Sequence, residues 1–319
     1  MFEKNQVLEI VAKIKAAGSI AVVGHKNPEL DSLGGVLGMS KLIETNFGKK
    51  PMCLYDGNIP AYQDFLPGRD DLIYVGKLPE TFHADLLICI DFADSNKQFG
   101  DFKSDVFSHS DFIIKIDHHP NSEKFGDINI DDETASAATE IIYDIARIAG
   151  WEIDEDAANC LLAGIIHDTG TFKWIRNSVP LRVSADLLDL GASMGMVLEE
   201  MNSAPKKHVM ACSRSIANAE FYGNLAIAVI PRTDYKNLDG SAVEVLDSLR
   251  RIPGIEYFVL LTQAHEDKIH ISLRARTKPV NEIATNCFSG GGHKLAAAGI
   301  FHGSLEDAKK AAIEAFSKI

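Results

Sequence analysis

Val7, Ile10, Val11 and Ile14 recur at helical spacing, and Gly18-Ser19 closes that helix before the apolar run Ile20-Ala21-Val22-Val23, which reads as a buried strand. A polar loop from Gly24 to Ser32 follows. Leu33, Val36 and Leu37 then open a second helix, with Asp31 or Ser32 expected at its N-cap. The alternation repeats. Met52 to Tyr55 predicts a short strand, Leu86 to Ile90 a strand ending at Asp91, and Phe112 to Ile116 a strand ending at Asp117-His118-His119. Helices are expected from about Ser136 to Ala149 and from about Glu155 to His167, the second delivering Asp168 into the turn Thr169-Gly170-Thr171. Helical segments at Ala185 to Leu190 and Val197 to Met201 lead to a polar connection through Ala204-Pro205-Lys206-Lys207. Beyond it, strands at Leu225 to Ile230, Glu256 to Gln263 and Ile269 to Ala275 alternate with helices at Ala242 to Arg251, Val280 to Phe288 and Leu305 to Phe316. Apolar, β-branched strands separated by helices indicate an α/β fold with a mainly parallel sheet flanked by helices, linked to a smaller α/β unit. In such sheets ligands collect beyond the carboxyl ends of the strands.

A length of 319 residues is long for one core and comfortable for two domains. The 46% hydrophobic and 24% charged fractions exclude a disordered or fibrous chain. Lys and Arg total 32 against 45 Asp and Glu, a net charge of −13, which disfavours long duplex DNA as a partner. No apolar run approaches the roughly 18 to 20 residues of a membrane helix. Met1 to Lys15 is charged and amphipathic rather than a secretory signal, so a cytoplasmic protein with no membrane partner is expected. Cys53, Cys89, Cys160, Cys212 and Cys287 form no C-x-x-C pair and are expected to be buried free thiols.

Four segments place oxygen and nitrogen donors at the ends of predicted elements: His25-x-x-x-Glu29-x-Asp31, Asp91-x-x-Asp94, Asp117-His118-His119, and Asp168. Singly, each carboxylate is explained by a cap, a strand end or a turn. Together they would gather uncompensated negative charge on one sheet edge, which a pair of divalent cations would neutralise. Carboxylate mixed with imidazole, and no thiolate, suits Mn²⁺ better than Zn²⁺, with Mg²⁺ as the alternative. Two such ions activate water and clamp phosphoryl oxygens, so phosphoester or phosphoanhydride hydrolysis is the implied reaction. In the second unit, Ser289-Gly290-Gly291-Gly292-His293-Lys294, preceded by Arg274 and Arg276, is expected to surround a phosphate, with the small residues Ala296 to Gly299 permitting tight helix packing. His83, His109, His208, His265 and His270 lack spaced partners and are read as surface or structural, and His167 as turned toward the core. Trp151 and Trp174 are read as core-packing, with Trp174 a candidate for the cleft border. No Gly-x-Ser-x-Gly elbow or Walker loop occurs.

With Asp117-His118-His119 preceded by His25 to Asp31 and followed by the glycine-histidine segment, the sequence resembles the DHH/DHHA1 phosphoesterase superfamily over nearly its whole length. The resemblance implies a DHH metal-binding catalytic domain at 1–195, a connecting segment at 196–218, a DHHA1 substrate-binding domain at 219–319, and an active site in the cleft between them. It implies one metal on His25, Glu29 and Asp91 and another on Asp31, Asp91, His118 and Asp168. His119 would then act beside the scissile phosphate, Asp117 would orient the imidazoles, and Asp94 would stand behind the ligands. Arg274, Gly290, Gly291, Gly292 and His293 would hold substrate phosphate, with Lys294 a weaker candidate. The length matches stand-alone members acting on short RNA and 3′-phosphoadenosine 5′-phosphate. Hydrolysis of linear or cyclic dinucleotides, hydrolysis of pyrophosphate or polyphosphate, and nucleotide binding without catalysis are the competing readings. A homodimer would suit relatives. The family's first motif usually has Asp where this chain has Glu29, and often Gly where Ser289 stands.

Overall fold

The computed structural model describes residues 4–60, 63–95, 103–240 and 242–317. The chain divides into two units, Met1–Ser203 and Ala204–Ile319.

In the first unit the apolar runs become β1 (Ile20–Gly24), β2 (Met52–Tyr55), β3 (Leu72–Tyr74), β4 (Leu86–Ile90), β5 (Ile113–Asp117) and β6 (Ile128–Asp131). They form one sheet in the order β3-β2-β1-β4-β5-β6, parallel at every pairing. Side chains alternate between its faces. Ile20, Val22, Ile88, Ile90, Ile114 and Ile116 meet one helical layer, and Ala21, Val23, Leu87 and Cys89 meet Val75, Phe82 and Val106 on the other side. Both faces are covered, which is why the strands read as continuous apolar runs. The chain steps outward from β1 through β2 to β3 and then returns to lay β4 on the opposite side of β1. That reversal opens a crevice beyond the carboxyl ends of β1 and β4.

The helical layer contains α1 (Lys4–Ala16), α2 (Leu30–Phe47), α3 (Ala138–Ala149), α4 (Glu155–Asp168), α5 (Val179–Asp189) and α6 (Met194–Met201). α2 and α4 approach at glycines. A Cβ on Gly34 would lie 2.5 Å from the Cys160 carbonyl oxygen, and one on Gly164 would lie 2.6 Å from Asp31 Oδ1. The start of α2 therefore abuts the end of α4. The N-cap of α2 is Glu29, not Asp31 or Ser32: its carboxylate accepts from the amides of Asp31 at 2.6 Å and Ser32 at 3.1 Å. Asp31 instead caps a different helix, accepting from the amides of Ala138 at 2.6 Å and Thr139 at 3.0 Å at the start of α3. Of the segment 196–218, only Asn202 to Pro205 lies between helices, because α6 runs into it and α7 (Lys206–Ala217) begins within it.

The second unit is built on β7 (Glu220–Tyr222), β8 (Leu225–Ile230), β9 (Tyr257–His265), β10 (Lys268–Ala275), β11 (Gly291–His293) and β12 (Ala296–His302). Their order is β11-β12-β10-β9-β8-β7, with β8 and β9 parallel and the other pairs antiparallel. One face packs on α9 (Asn281–Cys287) and α10 (Leu305–Ser317), the other on α7 and α8 (Val243–Leu249). Ala296 to Gly299, expected to serve helix packing, lie in β12. Four cysteines are buried as expected, but Cys287 is exposed at the end of α9. Among the described residues, no helix is long and apolar enough to cross a membrane.

Candidate metal centre

β1, β4 and β5 are neighbours, so the residues that leave their carboxyl ends stand side by side: His25 after Gly24, Asp91 after Ile90, and Asp117 with His118 and His119. The start of α2 adds Glu29 and Asp31, and the end of α4 adds Asp168. All six expected ligands thus fall in one place.

Asp91 lies at the centre. Its Oδ2 is 3.3 Å from His25 Nε2, and its Oδ1 is 3.5 Å from His118 Nε2 and 3.3 Å from His119 Nδ1. A left-handed backbone, φ 65°, turns its side chain into the crevice, a conformation that Asp and Asn tolerate better than most residues. Buried Oδ1 nevertheless has no hydrogen-bond partner, despite those two nearby nitrogens. A buried carboxylate oxygen without a donor is costly, and a cation satisfies it.

The surrounding donors fit such an ion. His25 Nδ1–H donates to the Lys26 carbonyl oxygen at 3.0 Å, which leaves Nε2 to face Glu29 Oε1 and Asp91 Oδ2, both at 3.3 Å. His118 Nε2 is 3.1 Å from Asp168 Oδ2 and 3.8 Å from Asp31 Oδ2. Donor triads His25–Glu29–Asp91 and Asp31–His118–Asp168 each converge closely enough to hold one ion.

Electrostatics report the same demand for positive charge. Burial opposes the imidazolium at His25 and His118, but the carboxylates of Asp91 and Glu29 beside the first, and of Asp168 and Asp91 beside the second, outweigh it, raising them to about 11 and about 12. Burial, followed by the charges of Asp168 and Asp91, holds Asp31 well above the usual carboxylate range.

His119 is held differently. Its Nδ1–H donates to Asp117 Oδ1 at 2.9 Å, and this bond raises its pKa above the ordinary imidazole value. Asp117 is fully buried. Burial works against its charge, but His119, Ser122 and Lys115 bring it down to about 2. Asp94 is half-buried three residues beyond Asp91.

His167 corrects the sequence reading. It is not turned into the core: its Nδ1 lies 3.0 Å from Glu29 Oε2 and 3.2 Å from Asp168 Oδ1, and its side chain is partly exposed. Against burial, Asp168 and Glu29 raise it to about 11. Trp174 is also not a core residue, being half exposed, whereas Trp151 packs edge-on to Phe47.

In the second unit, Arg274 on β10 pairs with Ala296 of β12, which in turn pairs with His293 of β11. Arg274 and His293 are thus at one register, one strand apart. Gly291 and Gly292 open a short edge strand rather than a loop before a helix. A Cβ on Gly292 would meet the Ala296 carbonyl oxygen at 2.7 Å, and Gly290 is similarly tight against Ala298, whereas Gly291 faces open space. Gly290 and Gly292 are therefore needed for strand packing, while Gly291 and Gly292 both lie at the surface. Lys294 is exposed. His208, read as lacking spaced partners, has two: Cys212 one helical turn on and Glu244 on α8. Its Nδ1 accepts from the Asp239 amide at 2.9 Å, which places the proton on Nε2, facing Glu244. That arrangement clasps two helices together and leaves the His208 ring no lone pair for a metal.

Residues 19–165 match the DHH family, N-terminal domain, and residues 223–319 match the DHHA1 domain. The chain is 28% identical over 292 residues to a probable bifunctional oligoribonuclease and PAP phosphatase NrnA of Streptococcus mutans, covering 90% of this chain and 91% of that protein. It is 27% identical over 320 residues to the bifunctional oligoribonuclease and PAP phosphatase NrnA of Thermus thermophilus, covering 97% and 93%. The solved structure of an exopolyphosphatase-related protein from Bacteroides fragilis superposes with a TM-score of 0.91 at 23% identity, covering 99% of this chain and 96% of that one. This last likeness is one of fold.

Proposed function

The chain is built from a DHH-family domain followed by a DHHA1 domain, and from that premise we propose that it is a divalent-cation-dependent phosphoesterase. Its substrates are very short RNA, cleaved to mononucleotides, and 3′-phosphoadenosine 5′-phosphate, cleaved to AMP and phosphate. The observation that carries the reading is the orphaned Oδ1 of Asp91, buried beside His118 and His119 at the strand-order reversal. The substrate class rests on the named relatives aligned over most of their length.

His25, Glu29 and Asp91 would hold one cation, and Asp31, Asp91, His118 and Asp168 the other, Mn²⁺ being preferred and Mg²⁺ the alternative. Bound there, the cations supply acidification of water and neutralisation of phosphoryl oxygens. The chain's own residues do the rest. Asp117 fixes the His119 ring through Nδ1 and favours its charged form, so Nε2 is the position from which a proton passes to the departing ester oxygen. Ser122 and Lys115 hold Asp117 ionised behind it. Arg274, His293 and the open face of Gly291 are the groups of the second unit suited to binding a substrate phosphate.

The test is a substrate panel of dinucleotides, 3′-phosphoadenosine 5′-phosphate, cyclic dinucleotides and pyrophosphate, each with Mn²⁺, Mg²⁺ or chelator. The expected result is Mn²⁺-stimulated release of mononucleotides from the first and phosphate from the second, lost in chelator. Turnover confined to pyrophosphate, or none with the cations confirmed as bound, overturns the proposal.

A further inference from the structure

His167 stands outside the ligand set assigned above, yet its Nδ1 lies 3.0 Å from Glu29 Oε2 and 3.2 Å from Asp168 Oδ1. Donors bonded to one cation at about 2.1 Å lie about 3 to 3.4 Å from one another, so these separations have the length of a coordination edge. On the other side of the same carboxylate, Glu29 Oε1 is 3.3 Å from His25 Nε2. Glu29 therefore turns one oxygen toward each of two imidazoles. An aspartate at this position would carry its carboxylate one methylene nearer the backbone, away from a side chain arriving from α4. The longer side chain of Glu29 thus brings its Oε2 within reach of His167.

Capping does not require His167. Both Glu29 oxygens already accept amides at the start of α2, so a neighbouring imidazole adds nothing the helix end lacks. Glu29 and His167 are 27% and 30% exposed, which gives an ion access to them from solvent. The donor atoms of Glu29, His167 and Asp168 also lie within 4.8 Å of one another, as those of the two triads already described do. Close packing of α2 on α4 through Gly34 and Gly164 brings it together.

Resting on the two-cation reading above, we propose that His167 Nδ1 is a further donor to the cation held by Glu29, giving that end of the centre two imidazoles. An imidazole-rich site favours ions that accept nitrogen, such as Co²⁺, Zn²⁺ and Mn²⁺, over Mg²⁺.

The experiment compares the full chain with its His167→Ala and His167→Asn variants, with folding of each checked by circular dichroism in chelator. Co²⁺ and Mg²⁺ are titrated separately by calorimetry, ions per chain are counted by dialysis, and nitrogen couplings to bound Mn²⁺ are read by spin-echo modulation. Both variants should bind Co²⁺ about tenfold or more weakly at one of two sites, keep Mg²⁺ affinity within about twofold, and lose one nitrogen coupling. An unchanged Co²⁺ to Mg²⁺ ratio with unchanged couplings overturns the inference and leaves His167 in a plain ion pair. If the parent protein binds two ions and hydrolyses its substrates while the variants match it, this inference alone falls. If the parent binds no ion, the phosphoesterase reading falls with it.

Discussion

Lys115 and Asp117 stand two residues apart on β5, on the same face of the sheet, with the ammonium 3.4 Å from the carboxylate and both side chains fully buried. Asp131, opposite Asp117 on β6, receives the same ammonium at 2.5 Å. The chain from Lys115 through Asp117 to His119 therefore ties a charge inside the sheet to the imidazole at the crevice. Removing one partner of a buried ion pair leaves an uncompensated charge, so Lys115→Met should cost about 3 to 5 kcal/mol. Adding Asp131→Asn should recover part of that loss. Urea denaturation of the single and double variants at neutral pH checks both, and a Lys115→Met chain as stable as the parent would remove Lys115 from this role.

Asp91 is expected to be needed for the centre and dispensable for the fold. Asp91→Asn keeps a residue that accepts φ 65° and removes the charge that faces His25 on one side and His118 and His119 on the other. Hydrolysis should fall by roughly a hundredfold or more, and divalent-ion affinity by about tenfold to a hundredfold, with the urea midpoint in chelator nearly unchanged. A variant that keeps the parent's rate and ion count would show that Asp91 does not bridge the cations.

Much of this was legible because fully buried parallel strands leave continuous apolar runs. Ile20 to Val23 and Leu86 to Ile90 announce β1 and β4, and the polar residues after them mark the crevice. β3 and β6 were not visible. They have three and four residues, stand at the sheet's edges and are only partly buried. β12 was hidden because Ala296-Ala297-Ala298-Gly299 lacks β-branched residues, and it is recognisable only through its pairing with β10 and β11. His167 was misread because it follows Ile165 and Ile166, which are buried. A signal did exist in Gly34 and Gly164, small residues on two helices that could pack closely enough to join their ends. The long carboxylate of Glu29 was a second signal, since it reaches further than the aspartate that the resemblance suggests.

Glu140, behind the centre, predicts a pH dependence of its own. Its side chain is 4% exposed, and burial pushes its pKa up to about 7 against a hydrogen bond from the Ser136 amide at 3.0 Å. The folded chain therefore holds this proton more tightly than the unfolded chain does. The stabilising contribution is complete below about 4.5 and is lost as pH rises through about 7. Relative to the parent, Glu140→Gln should match at low pH and gain roughly 1 to 2 kcal/mol by about pH 8, after allowing for solvent screening. Urea midpoints across that range test it, and a constant difference between the two proteins would contradict it.

Gly164 couples helix packing to the centre. A methyl group there would stand 2.6 Å from Asp31 Oδ1 and still closer to Thr139 Oγ1. Both are boxed in: Asp31 is fully buried and bound to the amides of Ala138 and Thr139 at the start of α3. Gly164→Ala should thus destabilise the chain by about 1 to 3 kcal/mol, although alanine is the better helix former. By displacing the Asp31 carboxylate it should also weaken divalent-ion binding at the site shared with His118 and Asp168. Gly195, inside α6 with nothing within 4 Å of an added Cβ, is the matching control. There the same change should be neutral or raise stability by about 0.5 to 1 kcal/mol and leave ion binding alone. Thermal melts with and without Mn²⁺ separate the two effects. If Gly164→Ala loses stability but keeps the parent's Mn²⁺-induced shift in Tm, the packing argument survives and the link to Asp31 does not.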